Sequence, residues 1–323
     1  MASNAPSVAE IEAARKRIRG VALHTPLVRL NADAPAEIHL KLENLQPIGA
    51  FKIRGARNAI ARLSPADLAR GVWTASAGNM AQGVAWCARQ AGIPCSVIVP
   101  ETASTAKVAA VERLGGRVIE VSFDRWWETF ESRAYPGMVG TFIHAFDDED
   151  VMAGNGTIGL EILEDLEDVD AVVIPWGGGG LACGIAAALR ARRPACRIYA
   201  AEVETAAPLS ASLTAGAPRT VEYRPSFVDG IGGKAVFPSM WDRALGLIDG
   251  AIVVSLREIA GAMRLLAERN RVIAEGAGAC SVAAALTGRA GTGKVVCVVS
   301  GGNIDLGRFC EVVRPVHGEA GSL

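Results

Sequence analysis

Aromatic residues are sparse in this chain: Trp, Tyr and Phe together make up 5% of its 323 residues. So few rings leave little material for a platform on which nucleobases stack. Positive charge is not in surplus either, since 33 Lys and Arg stand against 34 Asp and Glu. That balance argues against nucleic acid or an anionic membrane face as a partner. No apolar run approaches the ~20 residues of a membrane span. The opening MASNAPSVAEIEAARKRIRG lacks the apolar core of a signal peptide and reads as a helix. Histidine is rare, and His24, His39, His144 and His317 are scattered without ligand spacing, so no metal site is expected. The seven cysteines form no CxxC pair and are odd in number. Most lie among Ala, Val and Gly, as free thiols do when they serve as small core residues, which fits a reducing cytoplasm.

Half of the residues are apolar. With 323 residues there is enough chain for two cores. Apolar, β-rich runs alternate with Ala-rich helical patterns: GVWTASA (71–77) before MAQGVAWCARQAG, CSVIVP (95–100) before TASTAKVAAVERLGG, and RVIEV (117–121) before a helix near WWETFESRAY. AVVIPW (171–176), CRIYAAEV (196–203), AIVVS (251–255) and KVVCVVS (294–300) add strands. Short, fully apolar strands separated by helices predict doubly wound parallel sheets covered on both faces. The run from about 70 to 147 reads as its own compact unit, with the turn-rich HAFDDEDVMAGNGT (144–157) carrying the chain back to a larger one. No internal repeat or low-complexity stretch is visible.

Ligands of open parallel sheets bind beyond the carboxyl ends of the strands. Three loops lie there. In IPWGGGGLACGIAAAL, Gly177, Gly178, Gly179 and Gly180 join a strand directly to a helix, so backbone N–H groups and the helix N-terminus can close on a phosphate. A flexible linker is the lesser alternative. NAD fits poorly because G-x-G-x-x-G is missing, although Glu202 lies near the position of its ribose acid. The second loop, ASAGNMAQG, offers Ser76 and Asn79 at a helix start, where they serve either as caps or as carboxylate donors. The third, VVSGGNID, puts Ser300 at a strand end before two glycines. Lysine is scarce too, at six residues, yet Lys52 sits in IGAFKIRGARNAI with Ile48, Ala50, Phe51 and Ile53 around it. It is either a helix-face lysine reaching for water or an amine whose burial favours the neutral, nucleophilic form.

Taken together, HTPL (24–27), LKLENLQPIGAFKIRGA (40–56), SAGNMAQGVA (76–85), GGGGL (177–181) and SGGN (300–303) resemble the serine/threonine dehydratase family of fold type II pyridoxal-phosphate enzymes. The likeness runs from about His24 to Asp305 with the landmarks in family order. It implies two doubly wound open-sheet domains, 1–68 with 148–323 and 69–147, with the cofactor in the cleft between them. It implies pyridoxal 5'-phosphate bound to Lys52, with Phe51 against the ring, Asn79 on the ring hydroxyl and Ser300 at the pyridine nitrogen. The phosphate would lie in Gly177, Gly178, Gly179, Gly180 and Leu181. Ser76, Ala77, Gly78, Asn79 and Met80 would form the loop for the carboxylate of a small amino acid substrate, in a homodimer or larger homo-oligomer. Lys52 would also remove the α-proton, making the chain a threonine or serine dehydratase. A serine rather than an acid at the pyridine nitrogen would leave the ring a weaker electron sink, and so favour loss of the β-substituent over transamination.

Four positions depart from the family's pattern. Ile48 and Ala50 replace a frequent Thr and Ser, Met80 a frequent His, and Trp176 a smaller aliphatic residue. If they line the pocket, aryl-serines such as phenylserine become substrates; if not, these side chains are core. Ala77 stands where the family's racemases carry a second serine, so racemisation is expected to be weak. Pro208 stands where their metal site carries the second acid after Glu202, so no tight magnesium is expected. The short stretch after SGGN leaves no room for a C-terminal regulatory domain, so feedback control is not expected. A non-catalytic pyridoxal-phosphate or nucleotide-binding regulator is the alternative of another class.

Overall fold

The computed structural model describes residues 5–314. The expected N-terminal helix is α1 (Val8–Ile18), started by a capping box between Ser7 and Glu10; residues 1–4 and His317 lie outside the described residues.

Among the described residues, ten strands form two sheets. The larger has the order β1 (Leu27–Arg29), β2 (Glu37–Lys41), β10 (Lys294–Val298), β7 (Ala171–Pro175), β8 (Arg197–Val203) and β9 (Gly250–Val254). All its pairings are parallel except β1 with β2, a hairpin at one edge. The smaller sheet is wholly parallel, in the order β5 (Arg117–Val121), β4 (Cys95–Pro100), β3 (Val72–Ala75) and β6 (Thr141–Phe142). Strands β3 and β7 are buried along their whole length, because helices cover both faces. Strands β1, β2 and β6 escape sequence reading: they have two to five residues, and EIHLK carries charges within the strand.

The helices that matter for the site follow the parallel strands or flank them. They are α2 (Lys52–Ala61), α3 (Pro65–Arg70), α4 (Asn79–Ala91), α5 (Thr105–Arg113), α6 (Phe123–Ser132), α7 (Glu149–Asp165), α8 (Gly180–Arg192), α9 (Pro208–Ala215), α10 (Pro238–Ala244), α11 (Leu256–Leu265), α12 (Gly276–Leu286) and α13 (Leu306–Val312). The expected turn covers only 144–148, and the rest of that stretch is helix. Asp148 caps α7 by accepting from the Val151 amide, and VMAGNGT lies inside the helix. Its glycines are packing devices rather than turn formers: a Cβ at Gly154 would strike the Arg54 backbone, and one at Gly156 the Gly184 carbonyl.

An ionic cluster pins α2. Arg54, fully buried, donates to Glu43 at 2.8 Å and to Glu161 of α7 at 2.6 and 2.8 Å, while the Lys41 ammonium lies 2.8 Å from Glu161. Thr25 donates to Glu43 at 2.6 Å, so each carboxylate is well satisfied. The cluster fixes the helix that begins with Lys52.

Candidate active site

Each of the three sequence-marked loops leaves the carboxyl end of a parallel strand: residues 76–80 after β3, 177–180 after β7 and 300–303 after β10. The segment 48–52 is strapped to the third. Ala50 bridges Gly301, the Phe51 amide donates to the Ser300 carbonyl at 3.0 Å, and the Gly302 amide donates to Gly49 at 2.9 Å. Gly49 has φ +71°, a turn conformation that favours glycine, and a Cβ there would overlap the Asn303 side chain.

Lys52 opens α2. Its ammonium donates to the Ala145 carbonyl at 2.6 Å and lies 5.0 Å from the Phe51 ring centre. The side chain is partly exposed, but protein atoms crowd its head. Burial lowers its pKa to about 8, against the opposing pull of Glu275. The Ala145 carbonyl is held by its neighbour. His144 is buried, and its Nδ1 accepts from the amides of Asp147 at 2.8 Å and Phe146 at 3.3 Å. Burial, then Arg133, push its pKa down to about 3, so the ring is neutral with its proton on Nε2. Phe130 and Phe146 enclose it, with ring centres at 4.5 and 4.6 Å.

The glycine loop enters α8 through Gly179 at φ +93°. Among the described residues, the amides of Gly177, Gly178, Gly179, Gly180, Leu181 and Ala182 donate to no protein acceptor. A run of free N–H groups at a helix start is an anion site. The loop has neighbours that admit no side chain: a Cβ on Gly178 would overlap the Phe146 ring, one on Gly179 the tip of Trp176, and one on Gly180 the Phe146 backbone.

At the second loop, Gly78 is the N-cap of α4 and receives no side-chain cap. Ser76 takes its amide proton instead, at 3.2 Å, folding the loop back on itself. The amides of Ala77, Asn79, Met80 and Ala81 are left without protein acceptors among the described residues, and a Cβ on Gly78 would meet open space. These are the features of a carboxylate cradle. Met80 contributes only its backbone, because its side chain is 1% exposed and packs beside Ile53 and Val84.

Asn79 is held from both sides: its Nδ2 donates to Glu275 at 2.8 Å, and its Oδ1 accepts from Asn303 at 2.8 Å. Asn303 also donates to the Ile48 carbonyl at 2.8 Å. Ser300 is buried, and among the described residues its hydroxyl makes no hydrogen bond. Lys52, Asn79 and Ser300 are thus tied together by contacts among their own segments, and the glycine loop joins them through Phe146, next to the Ala145 carbonyl that holds Lys52. Glu275, Asn303, His144 and Phe146 were not singled out by sequence. Asn303 lay within the SGGN motif, whereas a single Glu before a Gly-rich helix carries no local signal.

Pyridoxal phosphate fits these groups. The free amides of the glycine loop match a phosphate, the crowded amine matches its aldehyde carbon, and the unpaired Ser300 hydroxyl matches a ring nitrogen. Comparison with known proteins agrees. The family described as pyridoxal-phosphate dependent enzyme matches residues 18–301. The chain is 40% identical over 311 residues to the L-threonine ammonia-lyase of Thermotoga maritima, covering 94% of this chain and 77% of that protein. Maize serine racemase superposes with a TM-score of 0.87 at 33% identity, covering 95% of this chain and 96% of that one. The processed form of threonine deaminase isoform 2 from Solanum lycopersicum gives 0.83 at 31%, with 97% and 95% covered. The chain belongs to the pyridoxal-phosphate-dependent enzymes, and pyridoxal 5'-phosphate is its cofactor. Within them it falls in the serine/threonine dehydratase group of fold type II.

Proposed function

We propose that this chain is an ammonia-lyase that eliminates water from a β-hydroxy-α-amino acid, L-threonine or L-serine, to give a 2-oxo acid and ammonia. The Lys52 amine carries the reading: it is half-buried, held by one carbonyl, and flanked by an anion loop and a carboxylate cradle. When bound, pyridoxal phosphate supplies the carbonyl that captures an amine and the electron sink that acidifies the α-hydrogen. Lys52, whose burial favours the neutral amine, would take that proton at close range. The amides of Ala77, Asn79, Met80 and Ala81 hold the substrate carboxylate, and Ser76 keeps their loop folded. The amides of Gly177 to Leu181 hold the cofactor phosphate. Phe51 would pack beside the ring, Ser300 would meet its nitrogen without charge, and Asn79 would meet its hydroxyl.

The aryl-serine alternative drew on Trp176, Met80 and Ile48. A side chain lining an open pocket keeps accessible surface, and these retain 1%, 1% and 6%. Their burial favours the smaller substrates. We assign 69–147 to the substrate-loop unit, because the strands of the smaller sheet span 72–142, and 1–68 with 148–323 to the cofactor unit. The assembly we assign is a homodimer or larger homo-oligomer in the cytoplasm. Seven free thiols support the compartment, and sedimentation tests the assembly. Among the described residues, no helix is long and apolar enough to cross a membrane.

The deciding experiment measures ammonia and 2-oxo acid released from L-threonine, L-serine and threo-phenylserine. Turnover of the first two is expected. A much larger kcat/KM for phenylserine overturns the substrate choice. A yellow protein that turns over none of them overturns the reaction and favours a cofactor-binding regulator.

A further inference from the structure

Glu275 is a buried acid beside the site that the reaction above does not use. It is the N-cap residue of α12, yet it caps nothing with its side chain. Its amide donates to the Gly301 carbonyl at 3.1 Å, which places the carboxyl over the third loop; a Cβ on Gly301 would overlap Oε1. Among the described residues, its one side-chain hydrogen bond comes from Asn79, at 2.8 Å. Among the described residues, no Lys or Arg forms an ion pair with it. A carboxyl so placed is poorly compensated, and burial pushes its pKa up to about 7. The charged groups facing it are Lys52 at the start of α2, Lys107 on α5 and Asp229 in the segment between α9 and α10. Lys107 and Asp229 pair with each other at 2.5 Å, so their fields oppose one another at Glu275. Lys52 is left as its one unpaired charged neighbour.

We propose that Glu275 is a positioning residue that orients the Asn79 amide and, through its charge, biases the protonation of the Lys52 amine. The orientation follows from the hydrogen bonds. Glu275 accepts one of the two Nδ2 protons and Asn303 donates to Oδ1, so the amide cannot flip without losing both bonds. The second Nδ2 proton remains free for the cofactor oxygen. The charge effect is mutual: Glu275 raises the Lys52 pKa, and Lys52 lowers that of Glu275. Above pH 7 the ionised carboxylate holds a proton on Lys52; when the carboxyl is neutral, the amine releases its proton more easily.

The inference rests on the assignment of Lys52 and Asn79 to the cofactor, so the test reads both. Cofactor-free protein is mixed with pyridoxal phosphate over pH 6 to 10, and the rate of uptake is followed by visible absorbance. Only the neutral amine reacts, so the midpoint of the profile reports the proton on Lys52. Borohydride fixation and peptide mapping locate the attachment. Glu275→Gln keeps an acceptor for Asn79 and removes the charge. It should bind pyridoxal phosphate within about threefold of the parent, with the midpoint lowered by about half a pH unit. Glu275→Ala loses the hydrogen bond as well, and its affinity should fall about tenfold, as expected for a lost bond to a charged group. Asn303→Ala releases the amide from the other side and should lower affinity without moving the midpoint, which tests orientation even if Glu275→Ala does not fold. An unchanged midpoint in Glu275→Gln overturns the proposal, as does unchanged affinity in both alanine variants. A label on a lysine other than Lys52 in the parent protein overturns instead the functional reading beneath it.

Discussion

Removing the Lys52 amine acts on folding and on chemistry in opposite directions. The unfolded chain gives a lysine its ordinary pKa of 10.5, whereas the folded site lowers it to about 8. Between those values the unfolded state binds more protons, so the stability of the cofactor-free protein rises with pH across that window. Below pH 8 the full cost of the buried charge is present. Lys52→Met should therefore melt higher than the parent at pH 7 when both are cofactor-free, with the difference fading by pH 10.5, as calorimetry over a pH series would show. The same variant should release no 2-oxo acid. Ala77 gives a second test at this scale. In the proposed site Ala77 would face the substrate opposite Lys52, where a methyl cannot carry a proton, so oxo acid should form faster than the mirror-image amino acid, measured by chiral chromatography of one reaction. Ala77→Ser should add exchange of the α-hydrogen with solvent deuterium.

The glycine loop and α8 work as one element with the 144–147 turn. Gly178→Ala would push its methyl into the Phe146 ring, and Phe146 follows His144, the residue whose ring fixes the turn. Overpacking of this kind costs about 1–3 kcal/mol. Gly178→Ala should lower both the unfolding midpoint and cofactor affinity, and adding Phe146→Ala should restore the first more than the second. Much of this was readable beforehand. Four glycines between a strand and a helix announce an anion loop, and Lys52 and Asn79 stand at the helix starts where sequence placed them. The 149–157 stretch misled because its Gly and Asn residues imitate a turn. In the fold they let α7 approach α2 and α8 closely, and a contact across some 30 to 100 residues of chain leaves no periodic trace. Glu275 was invisible for the same reason, since its partner Asn79 lies on another element.

Across the whole molecule, burial decides which charged and reactive groups count. Arg54 joins Glu43 of the N-terminal part to Glu161 of α7, out of water. Replacing one partner of such a cluster leaves the others uncompensated, so Arg54→Met should cost about 3–5 kcal/mol in denaturant unfolding. The thiols follow the same rule. Cys87, Cys95 and Cys183 are pushed up to about 12 and Cys196 to about 11, while Cys280 and Cys297 go higher still. Cys310 alone is exposed. A thiol reagent should therefore titrate no more than one cysteine in the native protein and all seven in denaturant.

The strap between the lysine segment and the third loop also sets a clock on synthesis. β2 pairs with β10, and Ala50 bridges Gly301, so residues near the start of the chain wait for partners some 250 positions later. While the ribosome is still working, the emerging N-terminal hairpin has no neighbour on its inner side, and the amine has no floor beneath it. Contacts this distant along the chain form late. The nascent polypeptide therefore cannot trap pyridoxal phosphate before its last strand has cleared the exit tunnel, and truncated products of interrupted translation stay colourless and do not sequester the vitamin.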